Sequence, residues 1–385
     1  MSKNKLQART SALVLIYNEI ESYPPTLNAI QILSTVYEHV SVLHLSNVYK
    51  EDFKCNDNVK IYKINQSITS NKNRIKTFYL FVKLYIKLIR ENNFNLILFY
   101  DPIAAMTVYL AYFLLKPKPL LWYHNHDIAI HRGYSRNTLI YWGAYFQHKI
   151  LNSVNIFSLP AIERLKYYNL KNYTGKVEII PNYPSKTLYS HTKTFIQANS
   201  DIRIILQGTI DTGRGIEEFI QILPIQIKDR DIKLILKGTI SAEYKKKLVN
   251  LIQNKNVESK VEFYGLGPYG LLPEFTSKCQ IGIAIFTKTD IMNSTLGSAS
   301  NKVYEYMASG LPFIYYDSPH FNKYFSKMSW AVPTTLSRES LIESIYTIIE
   351  NYYEMSTAAK NDFLLNKNYE NVFSPVMNSI LKLEN

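Results

Sequence analysis

The feature that most constrains this chain is an alternation kept up over almost its whole length. Short runs rich in β-branched and aromatic residues are each followed by a longer stretch with helical periodicity. The pattern predicts strands at 12–17, 40–45, 59–64, 96–100, 120–123, 155–159 and 177–180, with helices at 26–36, 74–91 and 104–115 between them. It then repeats, with strands at 202–206, 233–236, 261–264, 281–285 and 312–316 and helices at 216–227, 242–253, 302–309 and 338–353. Strands alternating with helices predict parallel sheets wrapped on both faces, and two such blocks predict two doubly wound α/β domains. The polar stretch 181–200, marked by Pro181 and Pro184, reads as the connection.

Composition narrows the class. Of 385 residues 46% are hydrophobic and 19% charged, which suits a chain with a large core. The longest apolar run, 103–115, falls short of the ~20 residues of a membrane-spanning helix. The basic opening MSKNKLQART leads into only a short apolar stretch without a small-residue cleavage site, unlike a secretory leader. Cys55 and Cys279 make neither a disulfide framework nor a thiolate zinc site, so a reducing cytoplasm is expected. Lys and Arg outnumber Asp and Glu by 44 to 31, a net +13, and the expected partner is therefore acidic. Nucleic acid is disfavoured, because no recognisable binding module is present and the basic residues are dispersed.

Glycine placement decides which block binds a nucleotide, if one does. Only Gly133, Gly143 and Gly175 precede residue 200, and the other ten of 13 begin at Gly208. The first strand runs into Asn18-Glu19 with no G-x-G-x-x-G, and no G-x-x-x-x-G-K-[ST] occurs anywhere. An ordinary nicotinamide dehydrogenase is disfavoured and a P-loop enzyme is excluded on this ground. Any nucleotide belongs to the second block.

Two segments there carry chemistry. Strand 202–206 leads into Gln207-Gly208-Thr209-Ile210-Asp211-Thr212-Gly213-Arg214-Gly215 and then a helix. Glycines at such a turn free backbone N–H groups for an anion, and Arg214 adds a fixed positive fork. The plain alternative is a tight turn with a surface arginine. The second segment, 296–312, places Ser298 or Ser300 as caps of a helix starting near Asn301. Its N-terminus and Lys302 favour a phosphate, and Glu305 lies on the same face. The plain alternative is a capped amphipathic helix with a Lys302–Glu305 surface pair.

Taken in order, "QGTIDTGRGIEEFI", "VEFYG", "IGIAIF" and "SNKVYEYMASGLPFI" resemble the donor domain of glycosyltransferase family 4, which has the GT-B fold. Upstream, "YDPIAAMTVYLAYFLLKPKPLLWYHNHD", "SLPAIERLKYYNL" and "IIPNYP" are similar to the acceptor-domain half and hinge of that family. The resemblance implies two Rossmann-like domains facing across a cleft. They would be an acceptor-binding domain at 1–188, a linker at 189–200 and a donor domain at 201–367, with helix 368–385 crossing back onto the first. It implies Arg214 on the donor diphosphate, with Gly208, Thr209 and Gly215 forming the turn. It further implies Ser298, Ser300, Asn301 and Lys302 at the phosphate-facing helix start, Glu305 on the ribose hydroxyls, and Gly265 and Leu266 beside the base. His126 stands where the family carries an active-site histidine, with His124 the competing registration. Asn18, Asp101 and Asp127 are further acceptor-side candidates. Two departures stand out: Gly297 occupies the place of a second glutamate, and Thr209 that of an arginine.

The expected activity is transfer of a hexose-type sugar from a UDP- or GDP-linked donor to a glycan or lipid-linked acceptor in cell-surface polysaccharide synthesis. It would be retaining, without a metal or other cofactor. In a front-face retaining mechanism the leaving phosphate oxygen takes the acceptor's proton; an inverting one requires a base, for which Asp127 is the candidate. A GT-B-shaped accessory subunit without turnover is the alternative that the two departures favour.

Other motifs are read more plainly. Asp229-Arg230-Asp231 mimics a D-x-D metal motif but sits where a charged turn is expected. His124, His126 and His131 lack a helical H-x-x-x-H pair or partner carboxylate, so no metal is expected. Asn65, Asn172 and Asn293 open N-glycosylation patterns without meaning in a cytoplasmic chain. In 74–91, Lys76, Lys83, Lys87 and Arg90 share one face. That face suits either peripheral contact with an anionic inner membrane leaflet or an ordinary solvated helix.

Overall fold

The protein is described from a computed structural model over residues 11–46, 55–65, 71–192, 201–288 and 290–383. It forms two compact units, Met1–Asn182 with Glu370–Asn385, and Tyr183–Tyr369. The chain leaves the first unit after Asn182 and returns at Glu370, in the first turn of the last helix. Residues 183–188, expected in the first domain, and 189–192, expected in the linker, belong to the second unit, and 193–200 lie outside the described residues.

In the first unit the elements run β1 (Ser11–Ile16), α1 (Pro24–Val36), β2 (His39–Ser46), β3 (Val59–Asn65), α2 (Asn71–Glu91), β4 (Leu96–Tyr100), α3 (Asp101–Leu110), β5 (Leu120–His124), α4 (Leu139–Leu151), β6 (Ile156–Leu159) and β7 (Lys176–Ile179). The seven strands form a parallel sheet in the order β3-β2-β1-β4-β5-β6-β7. β1 and β4 are buried almost throughout, as strands covered on both faces must be. One face carries Leu13, Leu15, Ile97, Phe99 and Tyr123 against Phe81 and Tyr85 of α2, Ala104 and Val108 of α3 and Ile150 of α4. The sequence pattern did not mark α4. It packs closely on α3 because Gly143 meets the backbone of Pro102 at 3.0 Å from its would-be Cβ, leaving no room for a side chain.

The second unit runs α5 (Lys186–Tyr189), β8 (Ile202–Ile210), α6 (Ile216–Ile222), β9 (Gln226–Ile227), β10 (Arg230–Ile240), α7 (Ala242–Asn254), β11 (Val261–Tyr264), α8 (Leu272–Ser277), β12 (Ile281–Ala284), α9 (Ile291–Ser294), α10 (Asn301–Ala308), β13 (Phe313–Tyr316), α11 (Pro319–Phe325), β14 (Ala331–Thr334), α12 (Arg338–Glu350) and α13 (Tyr352–Leu365). Its parallel path is β11-β10-β8-β12-β13-β14, with β9 antiparallel on β10. α14 (Tyr369–Leu383) then returns to the first unit, where Phe373 stacks on Trp122 at 4.9 Å.

Several expected boundaries shift for identifiable reasons. α6 stops at Ile222 instead of 227, because Pro224 forces Leu223 out of helical geometry (ψ 152°). The helix expected at 338–353 breaks at Asn351 into α12 and α13. β8 continues to Ile210, in register with β10 as far as Ile240, so Gly208 and Thr209 end a strand instead of opening a turn. Lys228 and Asp229 both have positive φ (51° and 58°), the geometry of a tight hairpin between β9 and β10. Asp231 of the apparent D-x-D pairs with Lys260 at 2.7 Å.

Candidate functional site

In open α/β sheets, ligands bind beyond the carboxyl ends of the strands where strand order reverses. In the second unit that point lies between β8 and β12. Their pairing ends at Ile205↔Gly282, and beyond it the backbone loses its ladder partners. The Tyr306 hydroxyl of α10 fills this place, accepting from Gln207 N (3.1 Å) and lying within hydrogen-bond reach of the carbonyls of Ile205 (3.0 Å) and Ile283 (3.3 Å). α10 is thereby held with its N-terminus beside the loops that follow both strands.

Those loops supply the charges. Arg214, after β8, lies over the ring of Phe286, after β12, at 4.4 Å, and the ammonium of Lys302 lies over the same ring at 5.2 Å. One aromatic side chain thus carries two cations. The would-be Cβ of Gly208 is 4.0 Å from Lys302 Cε, so the strand end borders the lysine stem. Gly215, with φ +76°, caps α6 in left-handed geometry, which glycine adopts without steric cost. Asp211 pairs with Lys288 at 2.6 Å. Burial pushes Lys302 down to about 7, and the neighbouring Arg214 charge adds to the effect. Burial likewise lowers Arg214. Arg214 Nη1 and Asn301 Oδ1 are buried without a hydrogen-bond partner. Two desolvated cations at a helix start form a site for a polyanion.

One turn into α10, Glu305 is buried and accepts from Gln207 Nε2 at 2.6 Å, while Gln207 Oε1 accepts from Thr276 at 2.9 Å. Burial pushes this carboxyl up to about 7, opposed by Gln207, Tyr269 and Lys302. The Lys302–Glu305 pair is therefore not the solvated surface pair of the plainer reading. Ser300 occupies the N-cap position of α10 but makes no side-chain cap hydrogen bond. Ser298 lies in the preceding turn, where Gly297 is buried at φ +42°, a conformation that disfavours any side chain. Gly265 follows β11 and its carbonyl accepts from Lys237 (3.2 Å), and Leu266 beside it is exposed.

Arg214, Asn301, Lys302 and Glu305 come together as expected of one site. Gln207, Tyr269, Thr276 and Phe286 complete it and were missed. Gln207 and Phe286 stand inside the quoted segments, whereas nothing in the sequence distinguishes Thr276 and Tyr269.

The first unit builds its own constellation where β1, β4 and β5 end. The His126 ring is stacked between Tyr100 (4.9 Å) and Tyr23 (5.2 Å), with Nε2 2.9 Å from the Thr26 hydroxyl. Its backbone N–H donates to Asp101 at 2.8 Å, and buried Arg164 donates to its carbonyl. Asp101 has φ +65° and is buried. Burial and the Asp127 charge hold its carboxyl well above the usual carboxylate range. His124 contacts His126 edge-on (4.6 Å) and places Nδ1 2.8 Å from the Ser158 hydroxyl. Burial keeps both imidazoles neutral, with His124 pushed down to about 3. Asp127 is exposed. Asn18 is also exposed and donates to the Tyr23 hydroxyl at 3.2 Å. Arg164, Tyr23, Tyr100 and Thr26 escaped the sequence reading because they converge from three separate segments. Among the described residues no group of three or more His, Cys, Asp or Glu side chains is arranged to hold a metal ion.

Comparison with known proteins places this geometry. Residues 192–362 match the family model described as glycosyl transferases group 1. No curated protein matches the chain. Among solved structures, sucrose-phosphate synthase of Thermosynechococcus elongatus is similar at 13% identity and a TM-score of 0.68, over 97% of this chain and 99% of that one. Anabaena HepE, solved with UDP and glucose, aligns at 13% identity and 0.66, over 97% and 100%. WaaG, a glycosyltransferase involved in lipopolysaccharide biosynthesis, aligns at 15% and 0.63, over 96% and 99%. The chain thus carries two Rossmann-like units of the GT-B fold, and most of the second unit is similar to the group 1 glycosyl transferases.

Proposed function

We propose that the protein is a nucleotide-sugar-dependent glycosyltransferase, with the nucleotide held by the second unit and the acceptor by the first. The observation that carries this reading is the pair Arg214 and Lys302 on one Phe286 ring at the strand-order reversal, with Glu305 one helical turn away. As the anomeric bond breaks, negative charge develops on the leaving diphosphate. Two preorganised cations and a helix N-terminus stabilise it without a metal. Glu305, fixed by Gln207, is suited to ribose hydroxyls. The leaving phosphate oxygen accepts the acceptor's proton, and configuration is retained. The donor is UDP- or GDP-linked. The acceptor is a glycan or lipid-linked glycan of cell-surface polysaccharide synthesis, met at the cytoplasmic membrane face, where α2 touches anionic lipid.

The test is thermal unfolding with UDP, GDP, ADP and their sugar conjugates. A ligand at 100 times its Kd raises stability by ~2.7 kcal/mol. One nucleotide class is expected to stabilise the wild type, with the effect reduced in Glu305→Gln. Arg214→Ala should weaken binding by roughly 1.5–3 kcal/mol, the contribution of a charged hydrogen bond. No shift with any nucleotide rejects the proposal. Gly297, which stands in the place of the family's second glutamate and whose positive φ disfavours a side chain, favours a second reading as an accessory subunit that binds without turnover. Slow release of free nucleotide from the stabilising sugar conjugate excludes that second reading.

A further inference from the structure

The cations on Phe286 and the carboxylate of Glu305 occupy only part of the carboxyl edge of the second sheet. There β12, β8, β10 and β11 lie side by side, and the register sets Lys237 of β10 level with Gln207 of β8 and Tyr264 of β11. Residues level with one another on adjacent strands project to the same face. Lys237 is therefore the lateral neighbour of Gln207, which holds Glu305, and it lies one strand spacing, about 4.8 Å, further from β12 and Phe286. α8 repeats this correspondence. Its Thr276 donates to Gln207, and the ring of the preceding Phe275 lies 4.5 Å from the Lys237 ammonium.

Lys237 Nζ donates to the Gly265 carbonyl at 3.2 Å. That bond uses one of the three N–H groups of the ammonium and one of the two lone pairs of the carbonyl. No carboxylate among the described residues pairs with Lys237, and burial holds it below the usual lysine range. The would-be Cβ of Gly265 meets nothing within 4 Å, so the space beside this loop is open. A donor and an acceptor thus stand side by side at the end of the site.

We infer that Lys237 and the Gly265 carbonyl read the base of the donor nucleotide, selecting uracil or guanine over cytosine or adenine. The inference rests on the transferase reading and deepens its nucleotide site. In a nucleotide the ribose stands between phosphate and base; here Gln207 with Glu305 stands between the two cations and Lys237. Uracil carries the O4 carbonyl next to N3–H, and guanine carries O6 next to N1–H. Either base accepts from Lys237 with one atom and donates to Gly265 with the next. Cytosine and adenine present the reverse order, an amino group next to an unprotonated ring nitrogen. An ammonium has no acceptor to offer that amino group, and the ring nitrogen would face a carbonyl oxygen. A site built to hydrogen-bond one pattern rejects the other because its own polar groups are left unpaired.

The test is calorimetric titration of the full chain with UDP, CDP, GDP and ADP. UDP and CDP differ only in the donor–acceptor order at these two base positions. Each keto nucleotide that binds should do so about tenfold or more tightly than its amino counterpart, UDP over CDP and GDP over ADP. Lys237→Met should remove most of that preference by weakening the keto nucleotide and leaving the amino one within about twofold. Lys237→Gln, whose amide either donates or accepts, should relax the preference by admitting CDP, and it carries the test if the Met variant does not fold. Equal binding of keto and amino nucleotides by the wild type overturns this inference and leaves the transferase reading standing. A folded Lys237 variant that keeps the wild-type ratio, or that loses both members of a pair equally, overturns it too. No binding of any nucleotide rejects the transferase reading and this inference with it.

Discussion

Glu305 shows how one side chain links stability to function. Its folded carboxyl titrates near 7, against an ordinary value of 4.5. Between those values the native state holds a proton that the unfolded chain has lost, so this group makes stability fall as pH rises from about 4.5 to about 7. Glu305→Gln should remove that slope, so its urea midpoint relative to wild type should improve between pH 5 and pH 7. An unchanged difference would contradict the assigned burial. The cause is desolvation, which a ligand offering two hydroxyls would offset. The sequence placed Glu305 on the face of Lys302, but Gln207, which donates to it, and Thr276, which in turn donates to Gln207, lie 98 and 29 residues away in the chain.

At the scale of elements, the joint between β8, β12 and α10 decides where the site forms. Gly282 admits the Tyr306 ring, which lies 2.4 Å from the would-be Cβ of that glycine. The Tyr306 hydroxyl then satisfies backbone groups that the diverging strands leave without ladder partners. Tyr306→Phe should cost roughly 1–3 kcal/mol, because a buried donor is left unsatisfied. Chemical denaturation measures this directly, and a neutral result would mean that the strands re-pair without the hydroxyl. The alternation of strands and helices was legible because periods of 2 and 3.6 leave different apolar patterns. The ends of elements were less so. Pro224 cut α6 short, and the two-residue strand β9 carries too few side chains to show a period.

For the whole molecule, the chain's last helix belongs to its first unit. Phe373, Val376, Met377 and Ile380 of α14 are buried, and at about 1.5–3 kcal/mol each their removal costs roughly 6–12 kcal/mol. That approaches the entire stability of a typical domain. Deleting 370–385 should therefore unfold the first unit while Tyr183–Tyr369 keeps its nucleotide-induced protection. Limited proteolysis with and without nucleotide measures both, and loss of protection in the second unit would contradict the division. By itself the sequence determined two doubly wound blocks and the absence of a first-block phosphate loop, both written in local pattern. Arg214, Asn301, Lys302 and Glu305 became candidates through the resemblance of the short segments that hold them. Only the tertiary structure decided that Phe286 carries both cations, that Gln207 holds Glu305, and that Arg164, Asp101 and two tyrosines enclose His126. These contacts join residues tens to a hundred positions apart. Strand order brings them together, and no local periodicity encodes strand order.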